Sequence, residues 1–232
     1  MKVMKFGGSS IGDAQRMRAA AELTVLAVQQ QPTVGACVVL SAMGTTTDTL
    51  LAAARVAECG DGLRALELTI QPFDHAEATA REALSDPTAV LARLKTLLEE
   101  VSVLVRGTAL LRELTPRTSD AIAAHGERIS TALFTALLAE RGVSVVELDA
   151  RLVVRTDDCF GAALPDTEAI RQLVEERVLP LMQQGTVVVT QGYVGGTEQG
   201  FTTTLGRGGS DWSASLLGAA LGATEVQIWT DV

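Results

Sequence analysis

The sequence predicts an α/β fold, in which helices cover both faces of a mainly parallel central sheet to give a three-layer αβα sandwich. Short apolar runs rich in β-branched residues alternate along the chain with longer stretches of helical periodicity, which is typical of such folds. Several of the short runs are almost continuously apolar, as expected for strands buried on both faces. No internal repeat, low-complexity tract or linker interrupts the pattern, so we expect residues 1–232 to form one domain.

Six segments are predicted to be strands because they are short, apolar and rich in valine or threonine. They are Val3–Phe6, Val34–Leu40, Val143–Leu148, Thr186–Thr190, Phe201–Leu205 and Val226–Trp229. No helix follows the last of these in the sequence, so we expect it to leave a sheet edge uncovered, and such edges promote association.

The segments between these strands are predicted to be helical. The first helix is expected over roughly Asp13 to Gln31, and residues 48–141 are mostly helical by their periodicity. Two apolar stripes at three- and four-residue spacing are expected to pack in the core, and Gly142 is expected to end the second of them. The first stripe comprises Val90, Leu91, Leu94, Leu97, Leu98, Val101, Leu104 and Val105, and the second comprises Ile129, Leu133, Leu137 and Leu138.

Two further helices are predicted in the second half of the chain. The run Pro165–Glu168 is typical of a helix start, and Pro180 is expected to kink or shorten the helix that follows. The run Trp212–Leu221 is predicted to be the last helix.

Composition excludes several classes of function. The chain has 47% hydrophobic and 20% charged residues, a net charge of −9 and no run rich in lysine or arginine. These values indicate a globular protein without the basic surface that nucleic acids require. No apolar run approaches the roughly 20 residues of a membrane span, and no secretory signal is evident. We therefore expect a cytoplasmic protein with no membrane or nucleic-acid partner.

The cysteines do not indicate a metal centre or a disulfide framework. Cys37, Cys59 and Cys159 are widely spaced, form no CxxC pair and have only two histidines to join them. The sequence therefore favours buried free thiols in a reducing compartment.

The segment Gly206–Asp211 is the first candidate for a functional loop. It lies between a strand-like run and a predicted helix, so its backbone N–H groups and the helix dipole favour an anion there. Arg207 can bind a carboxylate through two hydrogen bonds, and Asp211 is suited to organise a lysine or a cation beside phosphates. On its own, the segment is equally compatible with a plain turn in which Ser210 or Asp211 caps the helix.

A second glycine turn, Lys5–Ser10, supports the functional interpretation. A short strand leads directly into Gly7 and Gly8, which allow backbone N–H groups to approach phosphate oxygens closely. Lys5 lies just before them and can reach a β- or γ-phosphate. Neither the Walker A pattern nor G-x-G-x-x-G occurs.

Together these turns resemble the signatures of the aspartokinases, members of the amino acid kinase family. KFGGSS is similar to the aspartokinase motif KFGGTS, and LGRGGSDWSASLLGAALGATEVQIWTDV resembles the family's second signature almost residue for residue. The segments Val38–Thr47 and His125–Ser130 also fit, in the family's order. The resemblance covers essentially the whole chain and is closest to the monofunctional, lysine-sensitive type.

The resemblance implies ATP-dependent phosphorylation of the β-carboxylate of L-aspartate to 4-phospho-L-aspartate, the first step of lysine, threonine and methionine synthesis. It implies catalytic roles for Lys5 and Asp211, with Mg²⁺ arriving with ATP and no metal held directly by the protein. The implied nucleotide-binding residues are Lys5, Gly7, Gly8, Ser9, Ser41, Gly208, Gly209, Thr230 and Asp231. The implied substrate-binding residues are Thr47, Glu127, Arg207 and Ser210.

Alternative roles remain open for several of these residues. Glu127 can be a solvated helix residue, and Thr47 can belong to a helix cap formed by residues 45–48. His125 is interpreted as structural, because a carboxylate nucleophile needs no base near neutral pH. Ser9 and Asp48 depart from the family's usual threonine and asparagine.

The family comparison also predicts what the chain lacks. Residues 1–232 look like an incomplete aspartokinase catalytic domain, truncated on its C-terminal side and without the regulatory ACT domains. The full-length protein is expected to be a homo-oligomer. Two alternatives are another amino acid kinase, acting on glutamate, acetylglutamate, carbamate or UMP, and a binding or assembly fragment without turnover.

Overall fold

The computed structural model describes residues 1–30 and 34–230, and it confirms a helix-covered parallel sheet. Five strands, all parallel, lie in the order β3-β4-β2-β1-β7. Their bounds are β1 Lys2–Phe6, β2 Ala36–Leu40, β3 Val145–Leu148, β4 Val187–Gln191 and β7 Glu225–Trp229. A separate antiparallel pair is formed by β5 Val194–Gly196 and β6 Thr202–Thr204.

Nine α-helices lie within the described ranges. They are α1 Ala14–Gln29, α2 Thr46–Glu58, α3 Gly62–Ala83, α4 Thr88–Leu111, α5 Pro116–Ala123, α6 His125–Glu140, α7 Thr167–Arg177, α8 Leu179–Gln183 and α9 Gly209–Ala220. In the part of the chain that the structure describes, no helix combines the length and apolar character needed to cross a membrane.

The alternation of side chains along the sheet divides the core into two layers. In β1, Met4 and Phe6 pack with α1 to α6, whereas Val3 packs on the other face with α7, α8 and α9. Strand β2 alternates in the same way, because successive side chains of a strand point to opposite faces. Both faces of the sheet are therefore buried, and polar side chains can gather only at the strand ends.

Most of the predicted helical features are confirmed. The first apolar stripe lies on α4, where Leu94, Leu97 and Val101 are fully buried. Gly142 has φ +74° just after α6, and its amide donates to the Ala139 carbonyl. Pro180 lies in the first turn of α8, so the predicted single helix is divided into α7 and α8.

Two strand predictions need correction. Phe201–Leu205 does not join the main sheet; its central part forms β6, paired antiparallel with β5. Strand β5 itself was not predicted, because Val194–Gly196 contains two glycines and no apolar run. The expected uncovered edge is present: β7 pairs on one side with β1, and Val226, Ile228 and Trp229 are exposed.

The cysteine prediction is correct for one residue and wrong for two. Cys37 is buried on β2, and burial raises the pKa of its thiol to about 12. Cys59 and Cys159 are exposed, because each lies at the surface beyond a helix or in a loop, where sequence spacing gives no indication of burial.

Candidate functional site

A cleft of about 530 Å³ lies where β1 and β2 end and α9 begins. The strands of a parallel sheet all end at the same edge, which is where α/β proteins bind ligands. Nine of the predicted site residues line this cleft: Lys5, Ser41, Thr47, Glu127, Arg207, Gly208, Gly209, Ser210 and Asp211. Residues that are more than 200 positions apart in the sequence, such as Lys5 and Asp211, are thus brought together.

Lys5 and Asp211 form an ion pair in the cleft. The Lys5 Nζ lies 2.6 Å from Asp211 Oδ1, with the lysine buried and the aspartate half exposed. Lys5 is the fourth residue of β1, whereas Asp211 lies in the first turn of α9, where a negative charge interacts favourably with the helix dipole. The strand and the helix therefore present a cation whose position is fixed by a carboxylate.

The two glycine turns lie beside this ion pair, and steric constraints account for three of their glycines. A Cβ on Gly8 would lie 2.5 Å from the Ala42 carbonyl oxygen, and one on Gly209 would lie 2.8 Å from the Tyr193 ring. Gly208 has φ +73°, which a glycine adopts without strain. The backbone can therefore reach the cleft closely at both turns.

Two amides of these turns are occupied within the fold. The Gly7 amide donates to the Trp229 carbonyl over 2.8 Å, and the Gly209 amide donates to the Gly206 carbonyl over 3.0 Å. The structure therefore does not support the binding of phosphate by the amides of Gly7 and Gly209. Phosphate binding by the amides of Gly8 and Gly208 stays a prediction.

Glu127 is buried, which contradicts the alternative that it is a solvated helix residue. It is 3% exposed, in the first turn of α6, and its Oε1 accepts a hydrogen bond from the Ala42 amide over 3.2 Å. Within residues 1–30 and 34–230, Oε2 has no hydrogen-bond partner. Burial raises the pKa of this carboxyl to about 8. A buried carboxylate without a partner is costly, so the cleft favours a ligand that brings a hydrogen-bond donor or a cation to Oε2.

Ser41 and Thr47 flank Glu127 at the ends of β2 and α2. The Ser41 carbonyl accepts a hydrogen bond from the Ser130 hydroxyl over 2.8 Å, which ties the loop after β2 to α6. Thr47 lies in the first turn of α2, where Thr45 occupies the cap position without making a side-chain capping bond. The capping alternative for Thr47 is thus not supported, since its side chain faces the cleft.

Arg207 and Ser210 line the opposite wall of the cleft. Arg207 is exposed and makes no ion pair within the described part of the chain. Ser210 packs against Gly192, since a Cβ added to Gly192 would lie 2.7 Å from the Ser210 Cβ. An unpaired guanidinium and a hydroxyl beside a helix N-terminus can together bind a carboxylate.

Several other predicted residues lie outside the cleft lining. Gly7, Gly8 and Ser9 form the loop that follows Lys5. Thr230 lies beside this loop, since a Cβ added to Gly7 would be 3.4 Å from the Thr230 hydroxyl oxygen. Asp231 lies outside the described residues. His125 is buried and its Nδ1 lies 2.8 Å from the Ala121 carbonyl oxygen, and burial lowers its pKa to about 4. This placement agrees with a structural role.

Sequence reasoning missed three residues that line the cleft, namely Leu51, Gly161 and Tyr193, whereas Gly206 belongs to the predicted loop. Tyr193 follows β4 with φ +65°, a conformation that is rare for a bulky residue and often marks a functional site. Its position after a strand end was the one available signal. Gly161 lies in a loop with no recognisable pattern, so no signal in the sequence pointed to it.

The described residues contain no cluster of three or more histidine, cysteine, aspartate or glutamate side chains placed to hold a metal ion. Asp211 is the acidic side chain beside Lys5 in the cleft, and Asp48 lies elsewhere in its lining. Such a site is suited to a divalent cation that shares its ligands with bound phosphates.

Comparison with known proteins agrees with this arrangement. The model of the amino acid kinase family matches residues 1–232. The chain is 38% identical over 230 residues to lysine-sensitive aspartokinase 3 of Escherichia coli K12, covering 99% of this chain and 49% of the relative. It is 39% identical over 237 residues to chloroplastic aspartokinase 1 of Arabidopsis thaliana, covering 99% and 40%.

Solved structures of Escherichia coli aspartokinase III match the fold across the whole chain. The complex with lysine and aspartate gives a TM-score of 0.90 and the complex with aspartate and ADP gives 0.88. Both are 38% identical in sequence, and the match covers 100% of this chain and 49% of theirs. The resemblance to aspartokinases is therefore confirmed, and the chain spans about half the length of the curated relatives it matches or less.

Proposed function

The chain belongs to the amino acid kinase family, and on that premise we propose that it carries the acceptor site and part of the nucleotide site of an aspartate kinase. The proposed reaction transfers the γ-phosphoryl group of ATP to the β-carboxylate of L-aspartate, giving 4-phospho-L-aspartate. This reaction opens the synthesis of lysine, threonine and methionine. The relatives named as aspartokinases, and the solved complex with aspartate and ADP, support this choice.

One observation carries the proposal: a single cleft holds the Lys5–Asp211 pair, the Oε2 of Glu127 and the guanidinium of Arg207, and neither of the last two has a partner among the described residues. An amino acid with two carboxylates and one ammonium complements these charges. Its ammonium would pair with Glu127 and one carboxylate with Arg207, while the other carboxylate would face the phosphate held at Lys5. Thr47 and Ser210 would add hydrogen bonds to the carboxylates.

The same observation weighs against several other acceptors of the family. Acetylglutamate, carbamate and UMP have no free ammonium to offer to Glu127, so none of them would stabilise the ionised form of this carboxyl. Glutamate retains the ammonium and is one methylene longer than aspartate. Glutamate is therefore the alternative acceptor that a test of specificity must include.

Phosphoryl transfer depends mainly on position and charge. The acceptor carboxylate is ionised near neutral pH, so the reaction needs no base from the protein. Lys5 would neutralise charge that grows on the transferring phosphoryl group, and its ion pair with Asp211 would hold the ammonium there in advance. ATP and Mg²⁺ are the proposed cofactors, and bound Mg²⁺ would neutralise phosphate charge, with Asp211 placed to hold a water of its shell.

The remaining nucleotide contacts are proposed at the ends of β1, β2 and β7. Gly8, Ser9, Ser41 and Gly208 would approach the phosphates, and Thr230 would contribute beside Gly7. Asp231 keeps its predicted role in nucleotide binding. A cytoplasmic location and assembly into a homo-oligomer also stay predictions.

The test is ATP-dependent hydroxamate formation from L-aspartate, with Mg²⁺ and hydroxylamine, by this chain and by the longest protein that contains it. L-glutamate and acetylglutamate serve as control acceptors. We expect a signal for aspartate that exceeds the glutamate signal by at least about tenfold. Turnover with another acceptor in preference to aspartate would contradict the proposal.

Binding distinguishes an incomplete site from a wrong assignment. If this chain forms no hydroxamate but binds L-aspartate in calorimetry, and the longer protein turns over, the chain is a binding unit whose nucleotide site needs further residues. Absence of both aspartate binding and aspartate turnover in the longer protein would refute the assignment.

A further inference from the structure

Asp120 is a buried carboxylate just behind the acceptor wall of the cleft. It lies on α5 with 3% of its surface exposed. Its Oδ2 accepts hydrogen bonds from the amides of Gly161 over 2.8 Å and Thr204 over 3.0 Å. Its Oδ1 accepts a third bond, from the Thr204 hydroxyl, over 2.8 Å. One side chain thus binds two segments that are remote from it in the sequence.

Both of those segments form walls of the cleft. Gly161 lines the cleft directly, and its loop is tied to β6 by a bond from the Ala163 amide to the Thr204 carbonyl over 2.9 Å. Thr204 is the last residue of β6, and the chain passes from it through Leu205 to Gly206 and Arg207. The position of the Arg207 backbone therefore depends on where β6 ends.

Thr204 is linked to a third part of the wall through the next residue of the chain. The Leu205 amide donates a hydrogen bond to the Tyr193 carbonyl over 2.8 Å. The Tyr193 ring lies against Gly209, at the start of α9. This series of contacts runs from Asp120 through Thr204 and Tyr193 to the helix end that carries Ser210 and Asp211.

We propose that Asp120 is a positioning residue for the acceptor: it fixes Gly161, Thr204 and Tyr193, and through them Arg207 and the start of α9. This inference rests on the proposed aspartate kinase function. Asp120 does not line the cleft, so it acts through these neighbours rather than on the substrate. On the nucleotide side of the cleft, the backbone of Lys5 and Gly8 is held by β2, β7 and the Gly44 amide rather than by Asp120. The Lys5 side chain pairs with Asp211 of α9.

Two substitutions of Asp120 separate the effect of its hydrogen bonds from the effect of its charge. Asp120→Ala removes the acceptor of three hydrogen bonds, those from the Gly161 amide, the Thr204 amide and the Thr204 hydroxyl. The segments that contain Gly161 and Thr204 are then no longer held in place. We expect the KM for aspartate to rise about tenfold or more. The KM for ATP should rise by a smaller factor, because Gly208 and Asp211 lie on the released segment but the loop after β1 does not. In Asp120→Asn, the side-chain amide oxygen can accept the hydrogen bonds from the Gly161 and Thr204 amides. The amide nitrogen can donate to the Thr204 hydroxyl, which then acts as acceptor instead of donor. We expect this variant to restore the KM for aspartate to within about threefold of the wild-type value.

Asp166→Ala is the matched control. Asp166 also accepts two backbone amides, those of Glu168 and Ala169 at the start of α7, but it does not line the cleft. We expect a similar loss of stability from the lost cap and no change in either KM. Equal shifts in the KM for aspartate in the Asp120→Ala and Asp166→Ala variants would overturn the proposal.

Hydrogen exchange tests the positioning without depending on the reaction. In Asp120→Ala, the amides of Gly161 and of residues 204–209 should exchange at least about tenfold faster, whereas those of residues 5–8 should be unchanged. Faster exchange at Gly161 and Thr204 alone, without residues 206–209, would reduce Asp120 to a local structural role. If Asp120→Ala does not fold, Thr204→Val is tested instead, because it removes only the hydrogen bond from the Thr204 hydroxyl to Asp120. Its KM values and its hydrogen exchange are measured in the same way.

The two proposals can fail separately. A wild-type protein that phosphorylates no aspartate refutes the proposed function, while the exchange pattern still decides the role of Asp120. A wild-type protein that is active on aspartate, with unchanged aspartate KM and unchanged exchange in Asp120→Ala, refutes the positioning alone.

Discussion

Glu127 illustrates how burial at a single residue prepares a site for its ligand. Its carboxyl accepts a hydrogen bond from the Ala42 amide, and burial raises its pKa to about 8. In the free protein near neutral pH, the carboxyl is therefore mostly protonated. A bound ammonium would favour the ionised form, because an opposite charge lowers the pKa of a carboxyl.

The raised pKa makes stability depend on pH. Below about pH 4.5 the carboxyl holds its proton in both states. Between there and about pH 8 only the folded state holds it, so the contribution of this proton to stability is lost as the pH rises through that window. Glu127→Gln removes the titration, so we expect its free energy of unfolding, relative to that of the wild type, to rise between pH 4.5 and pH 8.5 by up to about 5 kcal/mol. Urea unfolding at several pH values measures this, and parallel pH profiles would contradict it.

Aspartate binding should release a proton. If the substrate ammonium pairs with ionised Glu127, the wild type at pH 7 should release up to about one proton per aspartate bound. Calorimetry in buffers of different ionisation enthalpy counts these protons. Glu127→Gln should bind aspartate at least about tenfold more weakly and without that release. Proton release that is unchanged in the variant would assign it to a different group.

Lys5 is expected to be essential for turnover and dispensable for folding. Lys5→Met keeps the length of the side chain in a buried place but removes its charge, so turnover should fall roughly 10²–10³-fold with the circular dichroism spectrum unchanged. Lys2→Met is the control, because Lys2 lies on the same strand and pairs only with the surface residue Glu225. Near-normal hydroxamate formation by Lys5→Met would exclude Lys5 from catalysis.

At the scale of elements, the close approach of the loops after β1 and β2 determines the shape of the nucleotide side. Gly8→Ala would place a methyl group 2.5 Å from the Ala42 carbonyl oxygen, which forces the two loops apart. We expect a loss of about 1–3 kcal/mol in the free energy of unfolding and weaker ADP binding. Denaturant unfolding and ADP titration measure these two effects.

Gly107→Ala is the matched control for that substitution. Gly107 lies inside α4 with open space at its Cβ position, so alanine should stabilise the protein by about 0.5–1 kcal/mol. Destabilisation of similar size in both variants would indicate a general intolerance of substitution rather than a clash between the two loops.

The elements also show what sequence patterns can and cannot predict. The strands of the main sheet were predictable because both of their faces are buried, which leaves continuous apolar runs such as Cys37–Leu40. The pair of β5 and β6 was not, because Gly195 and Gly196 carry no side chains that could reveal a strand. Lys5, Arg207 and Asp211 were found because they lie in glycine turns beside strand and helix ends. Asp120 was missed because its role arises from contacts 41 and 84 positions away.

At the scale of the whole molecule, β7 is an edge strand of the sheet among the described residues, where it pairs with β1. Ile228 is 47% exposed on this edge strand, so we expect this chain to self-associate at high concentration through β7. Ile228→Lys should shift sedimentation velocity profiles towards the monomer, because charge on an edge strand opposes pairing. Leu63→Lys is the control, since it makes the same change at a residue 82% exposed on α3. Dissociation by Leu63→Lys but not by Ile228→Lys would locate the contact on α3.

The central position of β1 has a consequence for how the protein is made. Its residues 2–6 pair with 36–40 on one side and with 225–229 on the other, so β1 completes its pairing only after β7 has been synthesised. At typical rates of 5–20 residues per second, that wait is roughly 10–45 s. During it, one side of β1 lacks its neighbour, and Lys5 lacks Asp211. Such distant pairings slow folding and prolong the exposure of an unpaired strand edge, so we expect chaperones to protect β1 until β7 has been synthesised.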